Sequence, residues 1–365
     1  MNSIIKSIIN HPVENVPSWT VALFDPTSGD LPRRQLDEQK SKDYLQAIAN
    51  AGAPGVLLAA STGWGHARNF AEHKHTLAVA GEVEVNNCIK QALIRIEDPL
   101  EENISLINEL KSWGYGIVWT RRGSNLPVGA SDEIVTEHML PLVRAAVRAE
   151  MPVGIYSIST VDGAPLTASA AKMLLSKLSP AEAQFLVAIK ITEPVFENST
   201  LQYLQEPAFD HKKIVQGWDA FYAEALQQGL RTNGHNHCGA TSGAAACMVY
   251  AYKAMYEATL KNDWEKLAAI QSVVSKVFFS MQGADKSIFP DLQIAKWVMG
   301  LGHPLTDERT ANDAARLLKT LHELATDEKA KPTLQLILQS LMLMEPYGYS
   351  SPVKEELSTI IAKIA

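Results

Sequence analysis

Short apolar runs bounded by turn residues alternate along this chain with longer segments in which apolar side chains return every three or four positions. The runs predict buried strands and the longer segments predict amphipathic helices, an alternation that builds βα units on a parallel sheet. Strands are expected at Thr20–Phe24, Gly55–Ala60, Gln91–Ile96, Gly116–Trp119, Val153–Ile158, Phe185–Ile191 and Lys213–Gly217, with a weak eighth at Leu230–His237. Their spacing of roughly 30 residues is that of one βα unit, and eight such units close into a (β/α)8 TIM barrel. An open doubly wound sheet would often carry a Gly-rich phosphate turn after its first strand, whereas here Asp25-Pro26-Thr27-Ser28 follows.

Two crossover helices stand out. Pro99–Trp113 carries an apolar stripe of Leu100, Ile104, Ile107 and Leu110, and Asp132–Ala149 places Val135, Met139, Leu142 and Ala146 on one side. From about Asp263 the strand pattern stops and three helical patterns remain, Asp263–Met281, Thr306–Ala325 and Pro332–Met344, with Asp263 and Thr306 as N-caps. The expected organisation is an N-terminal extension (1–17), a barrel (18–258) and a C-terminal helical region (259–365) that packs on the barrel or on a neighbouring subunit.

Composition narrows the partners. The 33 Lys and Arg against 40 Asp and Glu give a net charge of -7, which disfavours a general nucleic-acid binder and attachment to anionic lipid, and favours a small-molecule partner. Three cysteines without a paired motif argue against a disulfide framework and for a reducing, cytoplasmic setting. The opening residues do not read as a signal peptide, because Lys6 interrupts the one short apolar stretch, and no run has the length of a membrane span.

In a barrel the reacting side chains sit at the C-terminal ends of the strands. The sixth strand, Phe-Leu-Val-Ala-Ile-Lys-Ile, puts Lys190 in an apolar setting that would strip its ammonium of water, lower its pKa and free it as a nucleophile toward a carbonyl carbon. The alternative is a lysine that snorkels past the strand end or pairs with Glu193. Tyr156, near the end of the neighbouring fifth strand, could face the same pocket and relay a proton, or could be a barrel-filling aromatic. After the second strand, Ser61-Thr62-Gly63-Trp64-Gly65 can present hydroxyls and backbone N–H groups to a carboxylate or phosphate. His235 and His237, alternating beside Cys238, allow a competing reading as ligands of zinc or iron, against the alternative of pocket lining.

Together these positions resemble the dihydrodipicolinate synthase / N-acetylneuraminate lyase family of class I aldolases, along nearly the whole chain. VALFDPTSGD and the segment through Ser61-Thr62-Gly63 resemble the family's first two βα units and its G-T-T-G-E turn. VGIYSIS resembles its fifth strand, VAIKITEP its G-I-K-E strand, QGWDA its S-G-D-D turn and YGYSSPVKEEL its V-R-P-P-L segment. The resemblance implies a Schiff base between Lys190 and a 2-oxo acid such as pyruvate or its aldol adducts, with Tyr156 and Thr62 as further catalytic residues. It further implies Ser61, Gly63, Gly217 and Asp219 as substrate-binding residues, no metal or organic cofactor, and a homo-oligomer, dimer or tetramer; Arg121 and Arg122 after the fourth strand and Asn236 at the expected eighth are substrate-binding candidates by position alone.

The chain departs from that pattern at the pocket mouth. Arg121-Arg122 stand in place of a tyrosine pair, Val161 in place of an arginine that grips a second carboxylate, and Trp64 and Gly65 near the missing glutamate of the turn. The stretch between Tyr156 and Lys190 is longer. Dihydrodipicolinate synthesis is therefore disfavoured, and the two arginines either bind an acidic substrate group or are surface charges. A barrel that has lost catalysis and serves as a binding protein is the remaining alternative.

Overall fold

Strands that are apolar on both faces need cover on both, which a barrel wrapped by helices supplies. The computed structural model describes residues 3–24, 27–28, 35–63, 65–281, 308–343 and 351–364. Eight parallel strands form a closed barrel: β1 (Trp19–Ala22), β2 (Gly55–Leu58), β3 (Ile89–Ile94), β4 (Ile117–Arg121), β5 (Val153–Ser157), β6 (Leu186–Ile191), β7 (Lys213–Gln216) and β8 (Cys238–Ser242). Each pairs with its sequence neighbours and β8 returns to β1. Helices follow the strands in turn: α1 (Glu38–Asn50), α2 (Phe70–Gly81), α3 (Leu100–Ser112), α4 (Asp132–Arg148), α5 (Ala168–Ser176), α6 (Thr200–Gln205), α7 (Tyr222–Gly229) and α8 (Val249–Leu260).

The crossovers begin where side chains satisfy the free N–H groups of a first turn. Asp37 accepts from the Lys40 N–H at 3.0 Å to start α1, and Thr167 from the Ala170 N–H at 2.9 Å to start α5. Asn69 and Glu72 form a reciprocal capping box at α2. Helix α4 buries Val135, Met139, Leu142 and Ala146 as expected. Helix α3 is rotated from the expected stripe, with Leu100 exposed and Asn103, Leu106, Ile107 and Leu110 buried. Asn103 earns its buried place by donating to the carbonyls of Arg95 (2.7 Å) and Asp98 (3.3 Å).

The eighth strand lies eight residues beyond the start of the expected one. Leu230–His237 forms a turn closed by an antiparallel bridge between Leu230 and Asn236, with Gly234 at φ +81°. The strand itself is Cys-Gly-Ala-Thr-Ser, whose small side chains hide it from an apolar pattern. They are needed at the closing seam, where a Cβ on Gly239 would stand 3.0 Å from the Ser18 carbonyl oxygen and 3.1 Å from the Lys213 side chain.

The N-terminal segment packs against the N-terminal end of the barrel. Helix Ser3–Asn10 buries Ile5, Ile8 and Ile9, and the Lys213 ammonium donates to the Val13 carbonyl at 2.9 Å. Beyond α8 lie α9 (Trp264–Met281), α10 (Glu308–Leu324), α11 (Lys331–Met342) and α12 (Ser351–Ile364). The first three match the expected helical patterns, and α12 goes beyond them. The expected cap Thr306 and the segment 344–350 lie outside the described residues. Helix α9 packs on α8 and α10. Among the described residues no helix is long and apolar enough to cross a membrane.

Candidate active site

Which way the strand side chains point is fixed by a contact across the barrel. Trp119 on β4 donates its indole N–H to the Gln91 Oε1 on β3 at 2.7 Å, and Gln91 Nε2 donates to Thr20 Oγ1 on β1 at 2.9 Å. The intervening strand β2 offers Gly55 here, where a Cβ would fall 2.6 Å from Thr20 Oγ1. Side chains of non-adjacent strands meet only in the interior, so Trp119 points inward. The indole lies over Gly154 of β5, where a Cβ would meet the ring at 2.3 Å.

Trp119, Gly154 and Ala188 are register partners, and so are Arg121, Tyr156 and Lys190 two residues further along the same strands. Residues two apart share a face. Arg121, Tyr156 and Lys190 therefore stand as one inward row above the Trp119 floor, at the C-terminal end of the barrel. The Lys190 Nζ lies 4.0 Å from the centroid of the Tyr156 ring. Lys190 is only 4% exposed, which removes the snorkelling alternative. Glu193 does not take it as a partner either, because that carboxylate accepts from Ser157 Oγ at 2.7 Å, the Ser159 N–H at 2.9 Å and the Ser159 hydroxyl.

Burial pulls the Lys190 ammonium from its ordinary 10.5 down to about 7, against the opposing pull of the Asp219 charge. Burial pushes the Tyr156 phenol well above its ordinary range, against the Thr192 hydroxyl and the Arg121 charge. At neutral pH the row thus holds an amine near half-protonation beside a phenol that keeps its proton. That combination suits nucleophilic attack on a carbonyl with a proton relay at hand.

The mouth arginines are neither surface charges nor free cations. Arg121 is 2% exposed, donates to both Glu97 carboxylate oxygens at 2.9 and 3.1 Å and pairs with the Asp162 carboxylate. Arg122 is also buried and donates to two carbonyls, that of Asp162 at 3.1 Å and that of Pro127. Burial alone would raise the Glu97 carboxyl, but the Arg121 charge and bonds from Ser124 hold it at about 2. Asp162 ends the short helix Ser159–Asp162, next to Val161. The longer stretch between Tyr156 and Lys190 contains this helix, α5 and a further turn at Pro180–Ala183.

Ser61, Thr62 and Gly63 form a buried 3-10 turn directly after β2. The turn is entered through Ala59 at φ 54°, a left-handed conformation costly for a residue with a Cβ. The Gly63 N–H is already committed to the Ala60 carbonyl at 3.0 Å, while the Ser61 hydroxyl is buried without a partner among the described residues. A Cβ on Gly65 would lie 1.8 Å from the Ala59 carbonyl oxygen, so the backbone here approaches too closely for a side chain. Trp64 lies outside the described residues. Gly217 packs so closely that a Cβ would meet Thr192 Oγ1 at 1.8 Å. Asp219, just beyond it, is buried and accepts on Oδ1 from the hydroxyls of Ser242 and Tyr252.

Three expected residues fall elsewhere. Asn236 precedes β8 at the N-terminal end of the barrel, where its side chain donates to the Leu226 carbonyl at 2.7 Å and accepts from the Cys238 N–H at 2.9 Å. It is therefore not brought together with Lys190. His235 is exposed, whereas His237 is buried with Nε2 2.9 Å from the Phe209 carbonyl and Nδ1 against Arg231. Among the described residues no group of three His, Cys, Asp or Glu side chains could hold a metal ion. Sequence reasoning missed Trp119, Glu97, Asp162, Ser242 and Tyr252. Only Gly154, a glycine inside an apolar strand, signalled one of them, since such a residue marks a close approach.

No family model matches the chain, and no curated protein matches it by sequence. Solved structures do match in three dimensions. A prophage protein of the dihydrodipicolinic acid synthase family from E. coli, in complex with pyruvate, superposes with a TM-score of 0.68 at 15% identity, over 83% of this chain and 98% of that one. The chain shares its (β/α)8 barrel fold. A 2-keto-3-deoxygluconate aldolase variant from Sulfolobus solfataricus, in complex with L-2-keto, 3-deoxy-galactonate, gives 0.66 at 16% identity, over 85% of this chain and 98% of the other. An N-acetylneuraminate lyase from Mycoplasma synoviae gives 0.64 at 15%, over 83% and 97%.

Proposed function

We propose that this aldolase-type barrel is a class I aldolase or lyase of the dihydrodipicolinate synthase / N-acetylneuraminate lyase family, acting on a 2-oxo acid such as pyruvate or an aldol adduct of it. The observation that carries the reading is the Lys190 amine, buried in the inward row with its nitrogen 4.0 Å from the Tyr156 ring centre. The neutral amine attacks the C2 carbonyl, water leaves, and the resulting iminium draws the electrons of the breaking or forming carbon-carbon bond. Tyr156 gives and takes the proton of the carbinolamine step, and in this reading the substrate carboxylate is received by Thr62 and by Ser61, whose buried hydroxyl has no partner among the described residues. No metal or organic cofactor enters the scheme. Dihydrodipicolinate synthesis itself fits poorly, because Arg121 and Arg122 occupy the mouth. Three free, buried cysteines favour a reducing compartment, and we place the enzyme in the cytoplasm as a homo-oligomer.

Pyruvate and cyanoborohydride should leave a covalent adduct on the Lys190 peptide, read by mass spectrometry. Trapping should rise with pH to a half-maximum near the value of about 7 set by burial. A profile that follows an ordinary lysine, or no adduct from any of a broad panel of 2-oxo acids, would leave the reading without support and favour a binding protein. Tyr156→Phe should keep the adduct while slowing turnover by a factor on the order of 10²; turnover equal to the native protein's would remove Tyr156 from the mechanism.

A further inference from the structure

Lys190 and Tyr156 stand on different strands, so the 4.0 Å between the amine nitrogen and the ring centre depends on how the ends of β5 and β6 are held together. β5 ends at Ser157 and β6 at Ile191. Past that point the Thr192 N–H donates to the Ser157 carbonyl at 2.9 Å, and then Glu193 takes over. Its Oε1 accepts from the Ser157 hydroxyl at 2.7 Å and from the Ser159 N–H at 2.9 Å, and its Oε2 accepts from the Ser159 hydroxyl. Ser157 follows Tyr156 directly, and its own hydroxyl oxygen accepts from the Leu166 N–H at 3.0 Å. One carboxylate thus stitches the strand that carries the lysine to the strand that carries the phenol.

The same bonds reach the far side of the phenol. Ser159 opens the short helix Ser159–Asp162, whose last residue pairs with Arg121 on β4. The helix that follows Tyr156 is therefore tied at its first residue to β6 and at its last to β4, the two neighbours of β5. Glu193 is 6% exposed, and its contacts are with the supports of the reacting pair rather than with the pair itself. A buried carboxylate is a costlier join than apolar packing. Its charge-assisted hydrogen bonds, however, fix direction as well as distance.

We propose that Glu193 is a positioning residue, which holds Tyr156 at its working distance from Lys190 by binding Ser157 and Ser159. The proposal rests on the reading of Lys190 as the reacting amine, and it adds a residue that acts on the reaction only through Tyr156. Displacing a catalytic partner by about 1 Å can slow a reaction by a factor on the order of 10². Loss of the tie should therefore appear in proton transfer and not in substrate binding.

Pyruvate is a sufficient probe. Each passage through the Lys190 imine and its enamine breaks a methyl C–H bond and returns a deuteron from D2O, so proton NMR of the methyl signal gives kcat and KM for exchange. Glu193→Ala should lower kcat about tenfold and leave KM within about twofold. Glu193→Gln, which keeps one oxygen for Ser157 and the Ser159 N–H, should restore most of the rate. The decisive comparison is made in Tyr156→Phe, where adding Glu193→Ala should slow exchange no further, because the residue acts through the missing hydroxyl. Equal losses in both backgrounds would mean a merely structural role and overturn the proposal, as would an unchanged kcat in Glu193→Ala. If Glu193→Ala does not fold, Ser157→Ala cuts the same tie from β5. It should lower kcat about threefold in the native background and not in Tyr156→Phe, and an unchanged kcat there overturns the proposal. Native protein that gives neither exchange nor a trapped adduct would instead sink the aldolase reading, and the positioning role with it.

Discussion

Lys190→Ala should show no borohydride-stable adduct with pyruvate and no aldol cleavage or synthesis above background, because nothing else in the inward row supplies an amine. The same substitution should leave the fold intact. Burial holds the native amine at about 7, far below its ordinary 10.5, so between those values the unfolded chain binds the proton that the folded chain releases. Native stability therefore rises as pH climbs from about 7 toward 10.5, and the alanine variant should lack that slope. Urea titrations at pH 7 and pH 9 would check it. Residual adduct formation in Lys190→Ala would assign the chemistry to another lysine, with Lys90, Lys212 and Lys213 the ones to map first, since burial lowers each to about 8.

Arg121→Ala should be the most destabilising substitution at the mouth. It removes the cation shared by Glu97 and Asp162 and leaves the buried Asp162 and the partly buried Glu97 carboxylates without it, a loss of about 3–5 kcal/mol by analogy with other broken buried pairs. The pH dependence should change with it. Glu97 is held at about 2 in the fold, below its ordinary 4.5, so it contributes stability that is present above pH 4.5 and lost as pH falls toward 2. Without Arg121 that contribution disappears, and acid should relieve the remaining repulsion instead. Denaturation curves at pH 7 and pH 4 give the readout; a loss under about 1 kcal/mol at pH 7 would mean that water screens the cluster.

The barrel was legible because seven of its strands carry short, mostly apolar runs at βα spacing, the mark of strands covered on both faces. Lys190 was legible for the same reason, as a cation inside such a run. The eighth strand was not, since Gly239 and its small neighbours are selected by close approach at the seam rather than by hydrophobicity. Helix α3 shows a related limit: Leu100 fits a periodic stripe, yet Asn103 takes the buried place because two carbonyls wait for its amide. The state of Arg121 and Arg122 depended on Glu97 and Asp162, which lie 24 and 41 residues from Arg121 in sequence and meet it only after the strands pair. Asn236 was misplaced along with the strand that carries it, because a shift of that strand carries the residue from one end of the barrel to the other.

The neutralised rim also bears on redesign. Because Arg121 already spends its guanidinium on two internal acids, a single exchange at this position offers a new ligand nothing and leaves stranded anions behind. Retuning selectivity at this edge calls for coordinated replacement of cation and acids together, a jump between two self-consistent charge sets with no tolerable halfway sequence.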